Sequence, residues 1–522
     1  MAPEAREAAP GKPGHFGTAK RSSISAPPGQ TLRRSLLFAT AGRYIVTAAG
    51  LISTVILARL LTPSAFGISV LGTAILAIAE AIRELGSIAY LVQQKDLTLA
   101  KVRTVFSISL TVTLVIATLL IAVSEPLAGL FDEPGLSQYL RIIALSYAIA
   151  PFAHPIYALL SRDMAFATLA GIDILTTMAN SAAAIYLVRL GFGYLGIAWA
   201  AVISNAVWTL AGFCVRRDFS IYRPSLSEWR SVLSFGAYGS ATALLYKASE
   251  SFFYLILGGL LDARAVALCQ RAVMLSQFPE RVILAGVGAV ALPAFSEHAR
   301  GEKDLKAAYL AAIEHITAIQ WPALILLGIF AGPLVSALLG PQWSDVVSIT
   351  RIFAVAFAFN FPTGLNYPIQ VAVGAIKQTV ALAIIQTVIS LATLAFAAQF
   401  GLVAVALSAC ITTPINVALS VRLVRKHIPF QLRELARAVW RSAVISGLSA
   451  VGPLAIAVGI DGRAVLPVTL LASAAFSAGI GWIFGLWLVS HPLFEELSRA
   501  RAFGFGISGL KRSVSHLPLR SP

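Results

Sequence analysis

Three charged side chains, Glu80, Arg83 and Glu84, stand in the otherwise apolar run AEAIRELGSIAYLVQQKDLT at residues 79–98. On a helix, offsets of three and four residues place all three on one face. Lys247 and Glu250 repeat the spacing of three, and Arg43, Asp173 and Arg271 are further charges inside apolar runs. A single Arg, Lys or Asp at the centre of a membrane helix costs roughly 2.5–3.5 kcal/mol on insertion scales, so such groups face a bundle interior or a wet cavity. The chemistry open to them is ionic: binding an oppositely charged ligand, exchanging an ion, or pairing with one another. Internal pairing that only locks helices together accounts for any one pair. Charges at several depths and in both halves favour a polar cavity. Other groups have plainer readings. Pro279 is expected to break its helix and leave carbonyls that Glu280 and Arg281 could serve, Glu314 and His315 are expected near a helix end, and His154 is a weaker candidate.

Bond-breaking chemistry finds little support in the chain. Cys214, Cys269 and Cys410 are isolated in apolar runs, which leaves neither a disulfide framework nor a CxxC metal site. GFGYLG at 191–196 matches the dinucleotide fingerprint in letters, but it joins two apolar stretches instead of following a strand and lacks the acidic partner about twenty residues on. It reads as a tight interhelical turn.

The elements that must position these charges are membrane helices. Of the 522 residues, 57% are hydrophobic and 12% charged, against roughly 25% charged in soluble domains. Fourteen apolar stretches of near-spanning length lie between residues 36 and 489. The formal charge of +16 is dispersed in short clusters between these stretches, a pattern of positive-inside loops and not of a nucleic-acid surface. One set of alternate loops holds eighteen Lys and Arg, the other five and the acidic EPLAGLFDEPG at 125–135. The richer side is therefore expected to be cytoplasmic, with both termini on it, as an even number of spans requires.

No loop is long enough for a soluble domain, which argues against an enzyme with an extramembrane catalytic domain. Sliding the chain by 200 residues sets ILARLLTPSAFGISVLGTAIL (56–76) on ILGGLLDARAVALCQRAVMLS (256–276), and Glu80 on Glu280. Six helices separate the copies, so they share one orientation. The expectation is an all-α polytopic membrane protein of about fourteen transmembrane helices. It divides into a disordered tail at 1–32, a six-helix lobe at 33–220, a second at 228–430, two additional helices at 437–490 and a basic tail at 491–522, with a cleft between the lobes. Pro322, Pro362 and Pro368 are expected to interrupt helices nine and ten.

LARLLTPSAFGISVLGT (57–73) followed by RELGSIAYLVQQKDLT (83–98) resembles the signature of the polysaccharide-transporter branch of the MOP flippase superfamily, the Wzx-type exporters. Ser64-Ala65 stands where an acidic residue is common. In the second half, ALCQRA (267–272) and LPAFS (292–296) are similar to that family's GLYNRA and LFPALS, which sets Arg271 on the family's Arg. Phe253-Tyr254 departs from an Asp-Asn found in many relatives. The likeness covers most of 33–430.

That resemblance implies the two-lobed MOP fold and a flippase that moves undecaprenyl-pyrophosphate-linked oligosaccharide units, for O-antigen, capsule or exopolysaccharide, from the cytoplasmic to the periplasmic leaflet of the bacterial inner membrane. No bond is broken. A pyrophosphate suits bidentate guanidinium groups, so Arg43, Arg83, Lys247 and Arg271 are the expected substrate contacts. Glu80, Glu84, Asp173 and Glu250 are expected to position those cations or to exchange H+ or Na+. No cofactor is implied. Membrane lipids and polysaccharide polymerase machinery are the implied partners, and nucleic acid is not. A multidrug exporter of the same fold is the alternative and would need an acid-dominated cavity. A membrane polymerase or ligase of lipid-linked sugars is a further one and would need a large periplasmic loop.

Overall fold

The computed structural model describes residues 28–83, 88–300, 305–459 and 468–495. Every regular element among them is helical. In a bilayer no water serves exposed backbone groups, and a helix satisfies them all internally. The chain runs through α1 (Pro28–Leu60), α2 (Pro63–Arg83), α3 (Ile88–Gln93), α4 (Leu99–Leu130), α5 (Pro134–Ile149), α6 (His154–Arg162), α7 (Phe166–Leu187), α8 (Leu195–Val215) and α9 (Trp229–Leu260). It continues through α10 (Ala263–Arg300), α11 (Leu305–Ile329), α12 (Ala331–Leu338), α13 (Val346–Ala358), α14 (Asn366–Ala372), α15 (Ile376–Ala398), α16 (Leu402–His427), α17 (Leu432–Val458) and α18 (Val468–Leu488).

Among the described residues ten helices are long and apolar enough to cross a membrane, or twelve when each of two bent pairs counts as one span. The remaining positions of the expected fourteen are α9 and α10, 32 and 38 residues long. The chain is thus a multi-pass membrane protein.

The sequence repeat survives as local structure. α1 ends at Leu60 and α2 begins at Pro63; α9 ends at Leu260 and α10 begins at Ala263, an offset of 200 in each case. Each half also contains one broken span. Pro134–Phe152 and His154–Arg162 meet at 43° across Ala153, and Val346–Ala358 and Thr363–Ala372 meet at 57° across residues 359–362. The break that proline predicts at Pro362 is present, whereas Pro322 lies inside the continuous α11. α10 likewise runs through Pro279, so the expected break there does not occur. A proline removes one backbone hydrogen bond, and a long helix packed on its neighbours can bend past that loss. EPLAGLFDEPG is not all loop either, because α4 continues through Pro126 to Leu130.

The chain divides into two compact units, one of Met1–Leu61 and Ile68–Phe252, the other of Thr62–Gly67 and Phe253–Pro522. The boundary expected at 221–227 thus moves into α9, for a visible reason. The linker after α8 is held to the first unit: Arg103 Nε donates to Ser220 O at 2.8 Å, Ser225 N to Ser107 Oγ at 2.9 Å, and Tyr222 Oη to Phe152 O at 2.8 Å. Burial, with Asp218 adding to it, pushes the Tyr222 phenol above its usual range, so it stays a donor.

In the first unit α1 packs on α7, α7 on α8, and α5 on α4 and α8. In the second, α13 packs on α10, α11 and α16, and α17 lies between α11 and α18. The helices expected as an addition at 437–490 are therefore part of the second unit's core. α18 approaches α17 closely at Gly481, where a Cβ would meet the Leu448 carbonyl, a small-residue contact of the kind membrane helices use. Of the expected basic tail, His491 is fully buried and Leu493 and Phe494 pack with Ala318, Ile445 and Leu486. Residues 496–522 of that tail and 1–27 of the expected N-terminal tail lie outside the described residues, while Pro28 already opens α1.

Candidate functional site

α2 carries Glu80 and Arg83 seventeen and twenty residues past its start, and the spacing of three closes an ion pair, Arg83 Nη2 to Glu80 Oε2 at 2.6 Å. Arg83 Nη1 also reaches His154 Nε2 on α6. A guanidinium only donates, so Nε2 accepts, which places the ring proton on Nδ1. Nδ1 then donates to Ser109 Oγ on α4 at 2.7 Å. One buried, neutral imidazole thereby joins α2, α4 and the first residue after the bend that opens α6. Arg83 retains 21% and Glu80 39% of side-chain exposure, so the acid end of this network is open.

The second unit holds a counterpart in the same register. Glu280 lies seventeen residues past the start of α10, as Glu80 does on α2. Both its carboxylate oxygens accept from Asn360 Nδ2, at 3.0 and 3.2 Å, and Asn360 Oδ1 accepts from Thr363 Oγ1 at 2.8 Å. Asn360 sits in the break after α13. Neighbours on α11 serve carbonyls there: Trp321 Nε1 donates to Ala358 O at 2.8 Å, and Gln320 Nε2 donates at 3.4 Å to Phe357 O, which also accepts from Asn360 N at 3.0 Å. In each half an acid at one register is therefore tied to the bend of that half's broken span.

Arg271, eight residues into α10, is in a different situation. It is 1% exposed. Its guanidinium carbon lies 3.8 Å from the centroid of Phe66, in the first turn of α2 that groups with this unit, and 5.7 Å from that of Trp343. Nη1 meets the Met274 sulfur at 3.5 Å, while Nε and Nη2 have no hydrogen-bond partner among the described residues. No ion pair to Arg271 occurs among the described residues. Aromatic faces attract a cation, yet they leave two in-plane donors unserved, and burying a charge without hydrogen bonds is expensive. Geometrically, Nε and Nη2 form one desolvated fork of donors.

The other expected residues are dispersed. Arg43 is exposed on α1, and Lys247 and Glu250 are both exposed on α9 without an ion pair among the described residues. Asp173 on α7 accepts from Trp208 Nε1 at 3.1 Å, which braces α7 against α8. Glu84 lies outside the described residues. Glu314, 15% exposed, binds Arg441 Nη1 at 3.2 Å and faces His491 at 3.7 Å. Sequence reasoning did not single out Ser109, Asn360 or Trp343, and it reached Phe66 only as part of the motif LARLLTPSAFG. The 200-residue repeat was the available signal for the Glu280 site, since it already set Glu280 on Glu80.

The motif QQKDLT is structural. Arg162 at the end of α6 donates to the carbonyls of Leu91 (3.2 Å), Gln94 and Lys95 (2.8 Å). Thr98 accepts from Lys101 N at 3.3 Å and caps α4.

The family described as polysaccharide biosynthesis protein matches residues 56–348, more than half of the chain. The chain belongs to this polysaccharide biosynthesis protein family. A second family, lipid II flippase MurJ, matches residues 248–462. The chain is 26% identical over 327 residues to the succinoglycan biosynthesis transport protein ExoT of Rhizobium meliloti (strain 1021), covering 61% of this chain and 65% of that one. It is 20% identical over 316 residues to the lipopolysaccharide biosynthesis protein WzxC of Escherichia coli (strain K12), covering 60% and 64%. These matches span less than two thirds of either relative. Among solved structures, lipid II flippase MurJ in an inward closed conformation superposes with a TM-score of 0.71 at 13% identity, covering 88% of this chain and 99% of that one. An inward-facing MATE-family multidrug transporter of the MOP superfamily gives 0.57 at 19% identity, covering 75% and 96%. The chain therefore shares the fold of both.

Proposed function

We propose that the protein is a flippase that moves polyprenyl-pyrophosphate-linked oligosaccharide units from the cytoplasmic to the periplasmic leaflet of a bacterial inner membrane by alternating access, without breaking a bond. The observation that carries this reading is Arg271: a buried guanidinium with two unserved donors and no acid partner among the described residues. Phosphate oxygens match a guanidinium fork in geometry and charge. A cationic drug would be repelled there, which disfavours the multidrug reading. Membership in a polysaccharide biosynthesis family and the relatives' names, one a transport protein, support the same substrate class. Arg83, already balanced by Glu80, serves as a second, weaker anion contact. Arg43 and Lys247 would act only in a state that brings their exposed side chains to substrate, and Glu250 and Asp173 would position charge. Glu80 and Glu280 are the acids placed to exchange a coupling H+ or Na+. Both termini are cytoplasmic, and a polysaccharide polymerase is the natural recipient of the product.

The test is deletion of the coding sequence followed by leaflet-resolved assay of lipid-linked units. These should accumulate facing the cytoplasm, and Arg271→Lys should restore export at least tenfold less well than wild type, since the ammonium keeps the charge but loses the fork. Normal surface polysaccharide in the deletion strain, with no second exporter present, would refute the proposal.

A further inference from the structure

The second unit has a cavity whose walls include none of these residues. This open cavity of about 550 Å³ is lined by Lys306 at the start of α11, Arg422, Arg425 and Lys426 in the last turns of α16, and Pro429, Phe430, Gln431 and Glu434 at the turn into α17. Its one acid is fully engaged. Glu434 Oε1 binds Lys306 Nζ at 2.7 Å, and Oε2 accepts from Gln431 N at 2.8 Å as part of a capping box. Arg425 uses Nε to hold the turn, donating to Phe430 O at 2.9 Å, and its terminal nitrogens carry no ion pair among the described residues. Arg422 and Lys426 are likewise exposed and unmatched by an acid there.

The three cations of α16 stand at i, i+3 and i+4, so they share one helix face and repel one another. The fold holds them together at a helix end where no described carboxylate relieves them. A bound anion would. Two guanidinium forks beside an ammonium fit the three peripheral oxygens of a phosphate. The surroundings say which phosphate. The cavity opens at the junction of two membrane-crossing helices, with Arg422 about 8 Å along the axis from the end of α16, and the neighbouring face of α17 exposes Leu432 and Trp440. An indole beside basic side chains is the composition of a membrane interface.

We infer that this cavity is a binding site for the headgroup of an anionic phospholipid, separate from the transport path and independent of the transport reading. Two cations contribute roughly thirtyfold in affinity at about a factor of five each near a membrane surface.

The test uses the purified full-length protein in lipid nanodiscs and native mass spectrometry. Phosphatidylglycerol should be retained by the wild type in preference to phosphatidylcholine, and retention should fall about thirtyfold in the Arg422→Gln/Lys426→Gln variant. Both residues are exposed, so the thermal midpoint should be unchanged. The charge-preserving Arg422→Lys/Lys426→Arg variant should retain the lipid. Millimolar inorganic phosphate should not displace it. Equal retention by wild type and the glutamine variant, equal retention of the two lipids, or displacement by inorganic phosphate would each overturn the assignment, the last by showing a site for a free anion.

Discussion

Glu80–Arg83 and Lys247–Glu250 have the same spacing of three, yet only the first closes an ion pair. What separates them is a partner on another helix. His154 and Glu80 hold Arg83 from two sides, whereas Lys247 and Glu250 are exposed on α9 with no ion pair among the described residues. A helical i,i+3 pair alone contributes only about 0.2–0.5 kcal/mol, less than two long side chains lose in freedom when ordered. The imidazole is thus expected to govern the network. His154→Ala should lower stability by about 1.5–3 kcal/mol, the range for a hydrogen bond to a charged group and nearer the lower figure because Arg83 is partly exposed. Thermal unfolding in detergent measures it. Ser109→Ala, which removes only a neutral partner of Nδ1, should cost less than half as much. Equal losses would place the anchor at Ser109.

Among elements, the broken spans carry the most consequence. α13 ends with its last carbonyls bonded by Trp321 and Gln320, and Asn360, two residues on, is tied to Glu280. The bend therefore has its backbone groups paired and is a built feature. Asn360→Ala would leave a half-buried carboxylate without its amide donor, and a loss of about 1–3 kcal/mol follows from stranding such a group. Glu280→Gln keeps a side chain that can bond the amide and should cost under 1 kcal/mol. If Glu280 also carries the coupling ion, the same Glu280→Gln variant should be stable but should lose the dependence of export on the ion gradient. A folded variant with unchanged gradient dependence would remove Glu280 from that role. At the other end of the repeat, α2 starts so close to α10 that a Cβ at Gly67 would overlap the Ala263 carbonyl. Gly67→Ala should destabilise by at least the 1–3 kcal/mol of an overpacked contact, visible as a lower thermal midpoint.

For the whole molecule, the fourteen spans expected from the sequence, with basic residues in alternate loops, put both ends on the cytoplasmic side in the proposed topology. A phosphatase reporter fused after Pro522 should be inactive and a fluorescent protein there bright. A phosphatase inserted at Leu261–Asp262, between α9 and α10, should be active. The reverse pattern would invert the proposed direction of transport. Burying α17 and α18 in the second unit has a consequence as well. Trp482 donates to Ala318 O on α11 at 2.7 Å, and Thr317 to Ser442 on α17 at 2.8 Å, so truncation at residue 430 should abolish accumulation of the protein instead of yielding a smaller working transporter.

Hydropathy, charge alternation and the 200-residue repeat sufficed for the class of protein, the helix junctions at Leu60–Pro63 and Leu260–Ala263, and the charged positions of interest. These are properties of local composition, since a bilayer admits helices of fixed length and the repeat copies local pattern. The sequence could not decide which charges meet. His154 is 71 residues from Arg83 and Asn360 is 80 from Glu280, and such pairings depend on how each helix is rotated about its axis, which packing alone sets. Proline illustrates the same division. Pro279 and Pro322 left their helices intact while Pro362 stands at a break, because what ends a helix is whether neighbours supply partners for the freed backbone. Arg271 needed both levels: the motif ALCQRA singled it out, and only the tertiary structure showed it buried between Phe66 and Trp343 with no acid paired to it among the described residues.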